Sequence, residues 1–179
     1  MQMTIENIKT DWRKVDYRCE SLNQIIKGLD SSILFLQTKI KEVHWYDGDW
    51  FLEETEPIYG LAFIAFQNYI NGSIKDFFGN INKAQYYKVK TNLNTFDRSS
   101  IELIISLANY SKHKDDNELH KGTKDILESF KLNDFDRIEN SPIFTGLTIL
   151  SVNWKLSEVF EIVIDWRKKL FLLYNAYKA

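Results

Sequence analysis

The sequence is poor in the residues that build disulfides and metal sites. Its 179 residues include a single cysteine, Cys19, and three histidines, His44, His113 and His120. One cysteine excludes an intrachain disulfide and is typical of a protein in the reducing cytoplasm. Zinc sites need several Cys and His ligands, and the Glu-x-x-His spacing of di-iron bundles does not occur. We therefore expect a cytoplasmic protein with no metal and no other cofactor.

Glycine, proline and long hydrophobic stretches are scarce as well. The chain has 7 glycines and 2 prolines, and it lacks both the glycine-rich loop that holds phosphates and the Gly-x-Ser-x-Gly elbow of serine hydrolases. The longest uninterrupted apolar run, Leu61 to Phe66, is far shorter than the roughly 20 residues that cross a membrane. Residues 1–12 contain no basic stretch followed by an apolar one. We therefore expect neither a signal peptide nor a membrane span.

Charge is nearly balanced, whereas aromatic residues are abundant. A formal net charge of -2 gives no electrostatic basis for tight non-specific binding to nucleic acid. The 44% hydrophobic and 27% charged content is ordinary for a globular chain, so one domain over residues 1–179 is expected. Aromatics reach 15%, and surface Tyr and Trp favour interfaces. We therefore predict a protein partner or a homodimer.

The spacing of apolar residues follows the helical period and shows no useful length of strand-like alternation. The first predicted helix is Glu6–Leu29, and a second, capped by Asp30, Ser31 or Ser32, runs to Val43. Phe51–Phe78 follows, with a kink at Pro57 or a start near Glu56, and then a connection over Gly79–Phe96 with one short helical turn. The remaining predicted helices are Asp97–Asp116, Thr123–Leu132 with Thr123 as its cap, and Pro142–Tyr177, capped by Ser141 and broken near Asn153. The predicted fold is all-α, an up-and-down helical bundle of about five main helices with one or two short extra helices.

The segment Asp97–Asp116 carries the strongest pattern. Apolar residues lie on two sides of it, which predicts a helix surrounded by others, with Asp97 as its N-cap. Its C-terminal end is basic, as the helix dipole favours. At about 100° per residue, Asn109 and His113 lie one above the other. The pattern predicts a buried central helix that brings an amide and an imidazole to the same place.

These side chains suggest a site. A neutral histidine with a pKa near 6.5 can act as a general base at pH 7. In this interpretation His113 is the base, and Asn109 orients it or binds an oxygen. Lys112 and Lys114 hold a phosphate, and His120 is a further candidate binding residue. Two alternatives stay open. The basic residues can simply cap the helix end while Asn109 bonds a loop carbonyl, or the site can bind without catalysing.

The segment ANYSKHKDD, from Ala108 to Asp116, resembles the HEPN superfamily of helical bundles. Many members are toxin or defence ribonucleases in which an Arg and a downstream His promote attack of the ribose 2′-OH on the adjacent phosphate. The motif is Arg-x4-6-His and often begins Arg-Asn. Asn109 and His113 match its Asn and its His, but Ala108 occupies the Arg position. Lys112 does not replace the planar, two-pronged donor of an arginine.

The resemblance therefore implies a non-catalytic HEPN-like interaction protein of a bacterial conflict or defence system, acting as an immunity protein, an antitoxin or an accessory subunit. The alternative is a metal-independent endoribonuclease with RNA as its ligand. In that case His113 is the general base, and the phosphate is held by Lys112 or by an arginine from elsewhere, such as Arg137 or Arg167.

Overall fold

The structure, a computed structural model, describes residues 15–79, 82–89, 93, 96–116, 118–132 and 137–177. The helices of this part are α1 (Cys19–Glu42), α2 (Gly48–Phe78), α3 (Ala84–Tyr87), α4 (Ser100–His113), α5 (Lys121–Ser129), α6 (Pro142–Leu150) and α7 (Leu156–Ala176), with a 3-10 turn at Ile138–Asn140. No β-strand occurs among the described residues. The predicted all-α helical bundle is confirmed.

Helix α2 is the longest element and packs against α1, α4 and α7. Its antiparallel pairing with α1 is marked by an ion pair at each end, Arg18 with Asp76 and Lys39 with Glu54. Its pairing with α4 is antiparallel too, because Glu56 in α2 meets Lys114 just after α4, whereas Gln67, further along α2, meets Asn109. This arrangement puts the end of α4 beside the middle of α2.

Helix α4 is enclosed, as the sequence pattern predicts. From Ser100 to Tyr110 every residue is buried except Asn109, which is partly exposed. Close approach to α2 depends on Gly60, where a Cβ atom would lie 2.2 Å from Oγ of Ser111. The buried central helix is confirmed, and it reaches the surface only at its last turn.

The division of residues 19–42 into two helices is wrong. Helix α1 runs unbroken through Gly28, Asp30, Ser31 and Ser32. The hydroxyl groups of both serines donate to carbonyls one turn back, at 2.9 and 3.0 Å. This back-bonding lets polar residues remain inside a helix that packing already stabilises. The predicted start at Glu6 lies outside the described residues.

The predicted start of α2 also needs correction. The helix begins at Gly48, because the Asp47 side chain accepts hydrogen bonds from the backbone of Asp49 and Trp50. A start near Glu56 is therefore wrong. Pro57 lies inside the helix and is exposed. The helix starts after Asp47 because the side chain of this residue satisfies free N–H groups of the first turn.

Two other predicted caps are wrong. Ser99 rather than Asp97 caps α4, in a reciprocal capping box with Glu102. His120 rather than Thr123 caps α5. In contrast, the cap of α6 by Ser141 with Pro142 in its first turn is confirmed, as are the short helix α3 and the break between α6 and α7. No helix in the described ranges has the length and apolar character of a membrane span.

Candidate functional site

A cavity of about 430 Å³ opens beside the last turn of α4. Asn109 and His113 line it from α4, and His120 and Thr123 line it from the start of α5. The connection between the two helices supplies Asp116, Glu118 and Leu119. Because residues four apart share a helical face, Asn109 and His113 reach the same cavity, and the next helix adds a second imidazole.

The imidazole of His113 is held by a carboxylate. Its Nδ1 lies 2.8 Å from Oδ2 of Asp116, and both side chains are more than half exposed. Helix α4 ends at His113, and the turn that follows brings Asp116 back toward it. In neutral His113 the proton therefore belongs on Nδ1, where it faces the carboxylate, and Nε2 carries the lone pair.

The Nδ1 atom of His120 faces a hydrogen-bond donor, whereas that of His113 faces an acceptor. Nδ1 of His120 accepts a hydrogen bond from the backbone N–H of Gly122 at 3.2 Å, because His120 caps α5. The neutral ring therefore carries its proton on Nε2. The cavity thus contains two imidazoles with opposite tautomers, one suited to accept a proton and one suited to donate a hydrogen bond.

The amide of Asn109 is oriented by α2. Its Oδ1 accepts a hydrogen bond from Nε2 of Gln67 at 2.8 Å, and its Nδ2 lies 3.5 Å from Oγ1 of Thr123. Nζ of Lys112 donates to Oε1 of the same glutamine at 2.7 Å. Asn109 therefore bonds side chains of α2 and α5 rather than a loop carbonyl, and Lys112 is connected to it through Gln67.

Sequence reasoning missed Gln67 as a member of this site. It is a buried polar residue of α2 that lies one turn from Phe63 on one side and Ile70 on the other. A polar residue inside an apolar helical stripe needs a hydrogen-bonding partner. That pattern was the available signal, although it does not say which partner is used.

Lys114 faces away from the cavity of His113. It lines a separate cavity of about 440 Å³, where it forms an ion pair with the buried carboxylate of Glu56. Ser141 donates a hydrogen bond to the other oxygen of Glu56. Burial alone would lower the pKa of Lys114, but the hydrogen bond and the charge of Glu56 outweigh it and raise that pKa. Burial, followed by the charge of Glu56, also raises the pKa of Tyr110.

The two arginines proposed as phosphate ligands lie elsewhere. Arg167 belongs to α7 and is buried beside the C-terminal end of α2, where it pairs with Asp16 at 3.3 Å and lies over the ring of Phe77. The prediction that Arg167 holds a phosphate near His113 is therefore wrong. Arg137 is largely exposed, lines the cavity of Lys114 and lies 3.5 Å from Glu139.

The cavity of His113 is acidic. Two carboxylates, Asp116 and Glu118, line it, and no lysine or arginine does so among the described residues. A phosphate entering it would meet like charge before any cation. The described residues also contain no group of three or more His, Cys, Asp or Glu side chains that could hold a metal ion.

No protein-family model, curated protein or solved structure matches the chain, so its function has to be inferred from the geometry of its own residues.

Proposed function

We propose that this chain is a non-catalytic, HEPN-like interaction protein of a bacterial conflict or defence system, where it acts as an immunity protein, an antitoxin or an accessory subunit. One observation carries the interaction role. Trp45, in the turn between α1 and α2, and Trp50, in the first turn of α2, are 67% and 52% exposed. The defence setting comes from the HEPN resemblance alone.

The tryptophan pair is preorganised for contact. The two rings meet edge to face, with centroids 5.9 Å apart. Trp45 also packs on the edge of Tyr46, a buried residue whose hydroxyl donates to Glu54 at 2.7 Å. Tryptophan is enriched among the few residues that supply most of the binding energy at protein interfaces. Little side-chain entropy would be lost when a partner covers them.

The charge around the pair indicates the character of the partner. Exposed acidic residues outnumber basic ones around the two tryptophans in the chain, with Glu42, Asp47, Asp49 and Glu53 against Lys41. Glu53 also lines the cavity of Lys114, so this acidic surface lies at the same end of the bundle as the end of α4. Complementary charge favours a basic partner. Proteins that act on nucleic acid have basic surfaces, and covering such a surface would restrain them.

Affinity capture from the native host tests the proposal. The wild-type chain and the double variant W45A/W50A are compared, with Leu172→Ala as a matched control because Leu172 is 66% exposed on α7. Wild type and control should retain a stoichiometric basic partner, and the double variant should lose at least about tenfold in affinity. A clean monomer without a partner, or equal capture by all three proteins, would contradict the proposal.

A metal-independent endoribonuclease is the second candidate, and the pairing of His113 with Asp116 favours it. Nε2 of His113 would take the proton from a ribose 2′-OH, whose oxygen attacks the adjacent phosphorus. The bond from phosphorus to the 5′-oxygen then breaks, and the 5′-oxygen takes up a proton from water. The Nε2–H of His120 would donate to a non-bridging phosphate oxygen. This candidate ranks second because the cavity is acidic and both nearby lysines are engaged by other side chains.

An RNA cleavage assay in the presence of EDTA tests this candidate separately. Removing a general base lowers the rate by about 100-fold or more. His113→Ala should therefore abolish cleavage and the formation of 2′,3′-cyclic phosphate ends. W45A/W50A, which leaves the cavity intact, should cleave as the wild type does. Activity that is unchanged in His113→Ala would remove His113 from the mechanism.

A further inference from the structure

We propose that a third cavity, between α1 and the connection from α6 to α7, binds a small organic amine, that is, a primary ammonium group on an aromatic or branched aliphatic body. This inference does not depend on the proposed function. The cavity measures about 530 Å³, within the range of roughly 300 to 1,000 Å³ that small-molecule sites occupy.

The cavity has an apolar floor and an apolar mouth. Buried Ile33 and Tyr59 form the floor. Leu34 and Val152 also line it and are 63% and 82% exposed. Exposed apolar side chains beside a concave surface offer apolar area that a ligand can cover. A ligand with an apolar body would cover both.

One wall of this cavity is formed by Trp154, whose backbone conformation is strained. Trp154 has φ of 56°, in the left-handed region that a bulky residue rarely adopts. Its indole is held by stacking on Phe144 at 5.0 Å and by donating to Oγ1 of Thr148 at 2.8 Å. Such conformations cost about 1 to 3 kcal/mol and concentrate at ligand sites. The surrounding contacts hold the indole in the wall of the cavity.

The cavity also contains an uncompensated carboxylate. Asp30 is half-buried, and burial raises its pKa while a hydrogen bond from the backbone N–H of Leu156 opposes that rise. Within the described part of the chain it forms no ion pair. An ammonium group would supply the missing opposite charge. Lys155 also lines the cavity, but its side chain is more than half exposed, lies 3.8 Å from Glu158 and forms no ion pair with Asp30.

The ligand chemistry is tested by calorimetric titration of the full chain with three molecules of similar size. They are 2-phenylethylamine, its neutral counterpart 2-phenylethanol and the anion 3-phenylpropionate. The amine should bind at least about tenfold more tightly than the other two. Equal binding of the alcohol would mean an apolar cavity without selectivity for an ammonium group and would overturn the proposal. Failure of the amine to bind would overturn it too.

Two variants tie the binding to this cavity. Asp30→Asn keeps an acceptor for the Leu156 N–H and should weaken amine binding at least about tenfold. Val152→Lys changes an exposed residue, so folding is not at risk, and it adds like charge at the mouth. It should weaken binding severalfold, whereas the matched variant Leu172→Lys on α7 should not. Equal affinities for Val152→Lys and Leu172→Lys would show that the amine binds elsewhere.

Discussion

His113 and Lys114 are neighbours in the chain, yet they belong to opposite kinds of environment. His113 lies in an open cavity, where its partner Asp116 is exposed. Lys114 points to the other side of α4, where it meets the buried carboxylate of Glu56 and, through it, Ser141. One helical step of about 100° separates a pair with an exposed carboxylate from a pair with a buried one.

The contrast shows which contacts stabilise the fold and which leave room for function. A buried charge needs its partner, because an unpaired charge away from water is strongly unfavourable. An exposed pair is exchanged for water at little cost. The network of Glu56 therefore stabilises the bundle, while His113 and Asp116 can change with little loss of stability. Four predictions test this division.

The largest effect is expected from Glu56→Gln. The variant keeps the shape of the side chain but removes the charge that faces Lys114, so it should destabilise the fold by about 2 kcal/mol. Partial exposure of Lys114 limits the loss, because its ammonium group can turn to water. Urea denaturation at pH 7 measures the effect. Glu53→Gln, an exposed neighbour on α2, is the control and should change stability by less than about 0.5 kcal/mol. Equal midpoints for both variants would refute the division.

Gly60→Ala should separate the end of α4 from α2. The added Cβ would lie 2.2 Å from Oγ and 3.0 Å from Cβ of Ser111, so a rotation of the hydroxyl alone does not relieve the contact. Overpacking of this kind costs about 1 to 3 kcal/mol. Gly28→Ala is the matched control, since its Cβ would meet nothing within 4 Å, and it should stabilise α1 by about 0.5 to 1 kcal/mol. Thermal unfolding compares the two, and a stabilised Gly60→Ala variant would contradict the close contact.

Alkaline pH should destabilise the fold through the pair that Lys114 forms with Glu56. The folded chain raises the pKa of Lys114 above 10.5 and that of Tyr110 above 10.0. The contribution of Lys114 is therefore complete below pH 10.5 and is lost as the pH rises through the folded pKa. The unfolded chain releases the Tyr110 proton first, so this residue also makes stability fall with rising pH. Denaturation midpoints measured from about pH 9 to about 11.5 should decline less steeply in Lys114→Met than in the wild type. His113→Ala should follow the wild-type slope, and parallel slopes in all three would argue against the Lys114 contribution.

The smallest effect is expected on the open side. His113→Ala and Asp116→Asn should each change the free energy of unfolding by less than about 0.5 kcal/mol, because exposed ion pairs contribute little and are screened by salt. Differential scanning calorimetry at low and high salt measures this. A loss comparable to that of Glu56→Gln would mean that His113 is a structural residue.

Much of the fold was predictable because helices are local. The period of apolar residues predicted the buried helix α4, and Ser141 followed by Pro142 predicted the start of α6. The same local rules failed at Gly28 to Ser32, where turn-forming residues continue a helix. Packing on one face of α1 outweighs the intrinsic preference of these residues for turns. The hydroxyl groups of Ser31 and Ser32 also donate hydrogen bonds to backbone carbonyls.

The candidate site was predictable only in part. The spacing of Asn109 and His113 brought both to one cavity, and His120 joined them from the next helix. The function of that cavity stays a prediction. Gln67 orients Asn109 from a distance of 42 residues along the chain. Glu56 pairs with Lys114, which is 58 residues away. Local periodicity carries no information about such pairs.

By itself the sequence determined that the chain is helical, that α4 is apolar on two sides, and that an amide and an imidazole share its last turn. These are consequences of a 3.6-residue repeat that acts over a few residues. Only the tertiary structure decided that His113 faces an open, acidic cavity while its neighbour Lys114, itself partly exposed, pairs with a buried carboxylate. The physical reason is that burial and charge pairing depend on which helices pack together, and α2 contributes Glu56 and Gln67 only once it lies antiparallel to α4.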